Sequence, residues 1–261
     1  MALRQQGIFV PNAEPIIKER IARDYRENSD GKLITIKIMN ERLGNIRWRT
    51  YINRNAFNHN IEWLATNDCM INLITGETQP FDPKFMVTNK IPVNYNGYPT
   101  KIYTDFFNLV DGNIADSKIM RFLFDVMDDP NNVSIFLDFI TYCLWREYKY
   151  GYWLMLHGAG FNGKSILLQM MERFFGKDNV SGETLDRLLH RNFSIANLYQ
   201  KMLNVDADVS ADLVFNNTGI IKKLTGNDLH TGEFKHKKPF FFRNHAKLVF
   251  SCNKLPTNED L

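Results

Sequence analysis

Residues 152–176 read YWLMLHGAGFNGKSILLQMMERFFG, and two nucleotide-binding signatures overlap in them. Gly158, Gly160 and Gly163 spell G-x-G-x-x-G, whereas Gly158, Gly163, Lys164 and Ser165 spell G-x-x-x-x-G-K-S. The first pattern points to a dinucleotide, the second to a triphosphate with magnesium. Both require a strand before and a helix after. YWLMLH is a compact apolar strand, and SILLQMMERFF sets Ile166, Leu167, Met170, Met171 and Phe174 on one helical stripe that Gly176 ends. The dinucleotide fold also needs an acidic residue about 20 positions on, at the end of a second strand. Glu183 has the distance, but it sits in SGETLD, which reads as a loop entering a helix. A phosphate loop instead needs accessible backbone N–H groups, a lysine for the outer phosphates and a hydroxyl for Mg²⁺. Lys164 and Ser165 fill those two places, so the triphosphate reading explains more residues.

A phosphate loop predicts a carboxylate at the end of another buried strand, close to the γ-phosphate and its Mg²⁺. In KMLNVDADVS, Met202 to Val205 read as strand, and Asp206 and Asp208 are expected on one side at its C-terminal end. Alone, such a pair is equally an acidic surface at a strand end. HAKLVFSCNKLP supplies a third strand, Leu248 to Cys252, ending in Asn253. An amide there can orient water and sense the γ-phosphate, although a lone Asn also suits a turn. Between these strands Lys235, His236, Lys237, Lys238, Arg243, His245 and Lys247 fall within thirteen residues that contain no acid. The run reads as an edge hairpin protected by lysines or as a hairpin that tracks phosphates.

Outward from this region the sequence is less specific. A chain of 261 residues, 44% hydrophobic, can bury a large core and exceeds the common size of one domain. Its net charge of +3 is too mild to specify a polyanionic partner, so the placement of charge matters more than its sum. Cys69, Cys143 and Cys252 lie far apart without metal-ligand spacing, which predicts reduced thiols and a cytoplasmic setting. The N-terminus lacks the apolar core of a secretory signal, and VSIFLDFITYCLW is short and interrupted by Asp138, so no membrane segment is expected. Upstream, Glu14 to Glu27 reads as a helix and LITIKI, Leu33 to Ile38, alternates as a half-buried strand. NERLGNIRWRTYINRNAF interleaves Arg42, Arg47, Arg49 and Arg54 with Trp48, Tyr51 and Phe57. That pattern suits a single nucleic-acid strand held by phosphate contact and stacking, or an ordinary amphipathic segment with a solvated arginine face.

DCMINLITGETQPF reads as a strand and a turn through Thr75 and Gly76, and Pro80, Pro83, Pro92 and Pro99 mark a loop-rich stretch. Two helices follow, SKIMRFLFDVMDD closed by Pro130 and a second starting near the capping residue Asn132. Around Tyr150 the texture changes to alternating strands and helices, which predicts an α/β fold from there and a boundary between 1–149 and 150–261.

Taken in order, GAGFNGKS, KMLNVDAD, IIKKLTGNDLHTGEFKHKK and KLVFSCNKLP resemble the ATPase core of superfamily 3 helicases, specifically the phage/plasmid-type primase-helicases. NDCMINLITGETQPFDPKFMVTNKIPVNYN is similar to the region preceding the motor in that family and in poxvirus primase-helicases. The resemblance covers about Ile61 to Asn258. It implies an AAA+-type P-loop core with a parallel sheet flanked by helices, preceded by a mixed, mainly helical domain. It also implies a ring, usually a hexamer, that hydrolyses ATP with Mg²⁺ and translocates on single-stranded DNA in viral, plasmid or integrated-element replication, with a primase fused or separate.

Carried onto this sequence, the resemblance makes Gly158, Gly160, Asn162 and Gly163 the phosphate loop, Lys164 its lysine and Ser165 the Mg²⁺ ligand. Asp206 and Asp208 become the metal-binding and water-activating pair, their division of labour open, and Asn253 the first sensor. Lys235, His236, Lys237 and Lys238 fall in the channel hairpin that grips DNA. The family continues past Asn-Lys-Leu-Pro into a segment bearing an arginine finger, whereas this chain ends at Leu261. The expectation is a piece of a longer replication protein that binds ATP and hydrolyses it poorly by itself. Two other readings share the loop: a small-molecule phosphotransferase with the basic run as its lid, and a nucleotide-regulated module without hydrolysis.

Overall fold

The computed structural model describes residues 2–5, 7–11, 13–95, 117–127, 129–215 and 218–258. Strands β1 (Ala2–Gln5) and β2 (Ile8–Pro11) pair antiparallel and lead into helix α1 (Glu14–Glu27), where Ile17 and Ile21, one turn apart, are buried. The expected strand at Leu33 to Ile38 is not formed. Thr35 is instead the N-cap of α2 (Ile36–Arg49), its Oγ1 accepting from the Ile38 amide at 3.4 Å. Three alternating isoleucines fit a strand over six residues. A capping threonine followed by a long run of good helix formers outweighs them, because α2 buries Leu43 against Ala13, Ile17 and Ile21 of the α1 region.

Strands β3 (Trp63–Ala65), β4 (Met70–Asn72) and β5 (Thr78–Gln79) make an antiparallel meander. Its tight turn is built by Asn72, whose Oδ1 accepts from the amides of Ile74 and Thr75, and by Gly76 at φ +73°. The turn therefore falls where Thr75 and Gly76 predicted it; Pro99 lies outside the described residues. Helix α3 (Lys118–Val126) is capped by Ser117, and α4 (Pro130–Leu144) by Asp129, whose Oδ1 accepts from Asn131 at 2.8 Å. Pro130 thus opens the second helix rather than closing the first, and the cap is Asp129 rather than a residue near Asn132. A proline in the first turn lacks only an N–H that would have no partner there.

From Leu154 the chain alternates: β6 (Leu154–His157), α5 (Lys164–Phe175), β7 (Val180–Ser181), α6 (Leu185–His190), α7 (Asn192–Ala196) and β8 (Leu203–Asp206). Then come β9 (Val214–Phe215), α8 (Gly219–Thr225), β10 (Leu229–Gly232), β11 (Phe240–Arg243), β12 (Lys247–Cys252) and β13 (Thr257–Asn258). A parallel sheet in the order β6-β12-β8-β7 forms the centre of an α/β fold.

Every residue of β12 is buried, as a middle strand of a parallel sheet covered on both faces should be. Its side chains alternate: Val249 joins one core with Phe136, Phe139, Leu167, Met171 and Phe175, while Leu248 and Phe250 join a second with Leu185, Leu188 and Leu224. Helix α4 and the sheet therefore share one continuous core. Helix α5 buries Leu167, Leu168, Met171 and Phe175. Its inward stripe is rotated from the expected one, leaving Ile166 52% exposed.

One residue of the basic run belongs to this core. Lys247 is 0% exposed, and its Nζ donates to the carbonyls of Trp145 at 2.7 Å, Glu147 at 2.9 Å and His245 at 3.2 Å. The ammonium also lies over the Tyr142 and Tyr148 rings, 4.3 and 4.6 Å from their centroids. Burial pushes its pKa down to about 7. The side chain ties the segment after α4 to the first residue of β12. Lys247→Met is expected to lower unfolding stability by about 3 kcal/mol, because three carbonyls lose their donor inside the fold. Urea unfolding checks this, and an unchanged midpoint would show that water replaces the ammonium.

Candidate functional site

Strands β6 and β12 run side by side, with Cys252 opposite His157, and the Gly158 amide donates to the Cys252 carbonyl at 3.4 Å. The chain then leaves the sheet as a loop over residues 158–163 and enters α5 at Lys164. Gly163 stands at φ +86°, and a Cβ there would lie 2.6 Å from Val126 Cγ2, so glycine is required on two counts. A Cβ at Gly158 would lie 2.1 Å from Asn162 Nδ2.

The Lys164 ammonium lies across the mouth of this loop. Its Nζ donates to the carbonyls of Gly158 at 2.6 Å and Ala159 at 2.8 Å, to Asn162 Oδ1 at 2.9 Å and to Asn253 Oδ1 at 3.2 Å. The Gly163 carbonyl accepts the Ile166 and Leu167 amides, while the exposed Ser165 hydroxyl sits in the first turn of α5. Helix N-termini favour anions because their first amides point outward without intrahelical partners.

On the other side of β12, Asp206 is the last residue of β8 and is 8% exposed. Its Oδ2 accepts from the Leu185 amide at the start of α6 at 2.9 Å, and its Oδ1 from the Asp208 amide at 3.4 Å. The strand ends at Asp206, so Asp208 does not share a strand face with it. Asp208 is exposed just past the bend at Ala207, so the pair does not sit together on the strand as its spacing predicted. Glu183 lies in a loop entering α6, as its sequence predicts, with Oε1 accepting from Asn197 Nδ2 at 2.7 Å. The fully buried Asn204 holds that loop through the Glu183 amide and carbonyl, both at 2.9 Å; sequence reading gave it no role.

The sheet thus brings Gly158, Gly160, Asn162, Gly163, Lys164, Asn253 and Asp206 to its C-terminal edge. Such an edge is where ligands bind in open α/β sheets. Among the described residues no group of three or more His, Cys, Asp or Glu side chains could hold a metal. A Mg²⁺ ion here would therefore depend on Ser165, Asp206 and the ligand's own oxygens. No helix among the described residues is long and apolar enough to cross a membrane.

The basic run forms a second feature. Strands β10 and β11 pair as an antiparallel hairpin, Gly232 opposite Phe240, and the Lys237 amide donates to the Phe234 carbonyl across its turn. Lys235, His236, Lys237 and Lys238 are all exposed at this tip, with His236 at φ +62°. Below them Phe234 and Phe240 stack with centroids 5.5 Å apart. Arg54 lies over Phe240 at 4.5 Å and over Tyr199 at 5.3 Å. That contribution from the arginine-aromatic segment to the hairpin was not foreseen. Trp48 and Tyr51 of the same segment are 81% and 80% exposed.

Comparison with known proteins matches residues 21–128 to a family described as D5 N terminal like and residues 156–261 to a family of unknown function, DUF5906. The chain is 26% identical over 147 residues to the putative helicase L207/L206 of Acanthamoeba polyphaga mimivirus, a match covering 53% of this chain and 15% of that protein. Among solved structures it is similar to the apo C-terminal region of NrS-1, at 20% identity and a TM-score of 0.45 over 53% of this chain and 34% of that one. A JCV helicase bound to a small acetamide compound gives 19% identity and a TM-score of 0.37, over 52% of this chain and 39% of that one. The chain thus spans only a minor part of each of these relatives. The D5-like region and the viral helicase match bear out the relationship to superfamily 3 primase-helicases.

Proposed function

We propose that this chain supplies the nucleotide site and a DNA-holding hairpin of an ATP-driven, AAA+-type helicase in viral or plasmid replication. The observation that carries the reading is the Lys164 ammonium shared between the loop and Asn253. The loop carbonyls and amide oxygens that now surround Nζ mark a position where phosphate oxygens of ATP would be bound by charge-assisted hydrogen bonds. The outward amides of α5 take the remaining phosphate charge, and Ser165 with Asp206 would hold Mg²⁺, which supplies charge neutralisation between the outer phosphates. Asn253, released from Lys164, then reads the γ-phosphate.

Coupling to DNA follows from connectivity. Strand β11 ends at Arg243 and β12 begins at Lys247, so one short link joins the hairpin to the strand that carries Asn253. Movement at the nucleotide edge is thereby passed to the basic tip. In this reading residues 150–261 form the ring-building core, a hexamer on the family pattern, and residues 1–149 the upstream region, whose helix α4 packs into the core of the sheet rather than standing apart from it. The assembly works in the host cytoplasm or at a viral replication site, beside a fused or separate primase.

A second reading, a nucleotide-regulated DNA-binding module without turnover, is favoured by the commitment of Asp206 to the Leu185 amide. ATPase assays with the ring assembled on single-stranded DNA separate the two. Turnover is expected to fall at least a hundredfold in Asp206→Asn or Asp208→Asn; an affected variant that keeps Mg²⁺-dependent ATP affinity marks the water-activating residue, and one that loses it the metal-holding residue. No turnover in the unaltered ring would leave the regulatory reading.

A further inference from the structure

At the root of the hairpin, on the side facing residues 54–61, lies a cleft of about 520 Å³. Arg54, His59, Arg146, Arg243 and His245 line it, against the single acid Glu147, whose Oε1 already accepts from Asn227 Nδ2. Arg146 is 5% exposed and has no carboxylate within ion-pair distance among the described residues. One of its nitrogens, Nη2, donates to the Asn60 and Trp63 carbonyls. Its Nε and Nη1, and Nε2 of His245, are buried without a hydrogen-bond partner among the described residues.

A buried guanidinium with neither counter-ion nor full hydrogen bonding is a costly arrangement that a fold keeps where an anion completes it. Backbone strain gathers at the same place. Three of the seven non-glycine residues with positive φ among the described residues, Asn58, Gln200 and Asn227, line this cleft. Its walls also carry Phe57, Tyr199 and Phe241, the last 65% exposed, which offer flat apolar surface beside the cations.

We infer that the cleft binds a nucleoside monophosphate group, with the phosphate against Arg146, His245 and Arg243 and the base against the aromatic wall. The orphaned donors are buried beneath the cleft surface, so a ligand reaches them only with a shift of the Arg146 side chain, and a phosphodiester flanked by sugars on both sides can approach them less closely than a terminal phosphate. A terminal phosphate can project to them, so the group is either a free mononucleotide or the phosphorylated end of a strand. Arg146 and Arg243, the latter also donating through Nη1 to the Asn227 carbonyl, with Arg54 on the same wall, suit the double charge of a phosphate monoester better than a carboxylate. Nothing in this inference depends on ATP binding at Lys164.

The test uses the Lys164→Ala chain, to remove phosphate binding at the loop, and measures affinity by calorimetry for three probes. These are dAMP, a short deoxyoligonucleotide with a 5′- or 3′-terminal phosphate, and the same oligonucleotide without one. The expected result is a terminal-phosphate preference of at least tenfold, or dAMP binding of its own, that Arg54→Ala/Arg243→Ala lowers at least tenfold while the variant still unfolds cooperatively, its midpoint lowered only by the lost ring and Asn227 contacts. Arg146→Lys should do the same; if it fails to fold, the exposed double variant carries the test. A preference confined to oligonucleotides identifies a strand end, and equal binding of dAMP a free nucleotide. Absence of any terminal-phosphate or dAMP binding, or binding that ignores these arginines, overturns the inference and assigns the orphaned donors to ordered water.

Discussion

Lys164→Ala is expected to weaken Mg²⁺-ATP binding by at least a hundredfold, about 2.7 kcal/mol at room temperature. The ammonium occupies the mouth of the loop within hydrogen-bond reach of four oxygens, two of them backbone carbonyls on residues 158 and 159. In that position it would meet the outer phosphates of a bound triphosphate, whose negative charge is attracted far more strongly by a point cation than by water. Folding should hardly change. All four oxygens lie at the exposed edge of the sheet, where water replaces the lost donor. Titration of a fluorescent ATP analogue, beside a thermal unfolding curve, checks both halves. Retained tight binding would place the triphosphate elsewhere.

The second large effect is expected at the hairpin. Changing Lys235, Lys237 and Lys238 together to alanine removes three cations from an exposed turn whose fold is set by the Phe234-Phe240 stack and the Lys237 amide. Each phosphate contact on a single strand contributes roughly 0.7 to the slope of log affinity against log salt, so the slope should fall by about 2. Affinity at 0.1 M salt should fall by up to about a hundredfold, equally for unrelated sequences. An unchanged slope would move the strand to another surface. Exposed Trp48 and Tyr51 beside Arg47 and Arg49 would then be the next to change.

The elements that were legible in the sequence are those whose signals are local and long. Helix α1 begins and ends where its pattern does, and Gly158, Gly163 and Gly176 mark their turns because a left-handed backbone or a close neighbour is written into the residue itself. The reading failed where two local signals competed. At residues 33–38 three alternating isoleucines contradicted a capping threonine, and tertiary packing of Leu43 decided for the helix. At Pro130 the same residue can follow one helix or open the next, and the Asp129 cap decides.

Charge was the least legible property. Lys247 counted with Lys235 to Lys238 as part of one basic run, yet three carbonyls and two tyrosine rings from a distant segment take it into the core. Arg146 and His245 are similar: their burial depends on residues 54–63 closing over the hairpin root, a contact without a sequence signature. Asp206 and Asp208 show the limit for the candidate site. Spacing placed both near a strand end, but only the structure shows that the strand stops at Asp206 and that its carboxylate is occupied by helix α6.

The central claim is that the loop at Lys164 and the hairpin at Lys235 to Lys238 act together. Its most direct test is the affinity for a fluorescent single-stranded oligonucleotide, with and without Mg²⁺ and a non-hydrolysable ATP analogue, in the unaltered chain and in Lys164→Ala. The account predicts that the nucleotide changes DNA affinity at least fivefold in the unaltered chain, on the order of 1 kcal/mol of coupling, and not in the variant. Nucleotide binding that leaves DNA affinity unchanged, or DNA binding absent under every nucleotide condition, would contradict it.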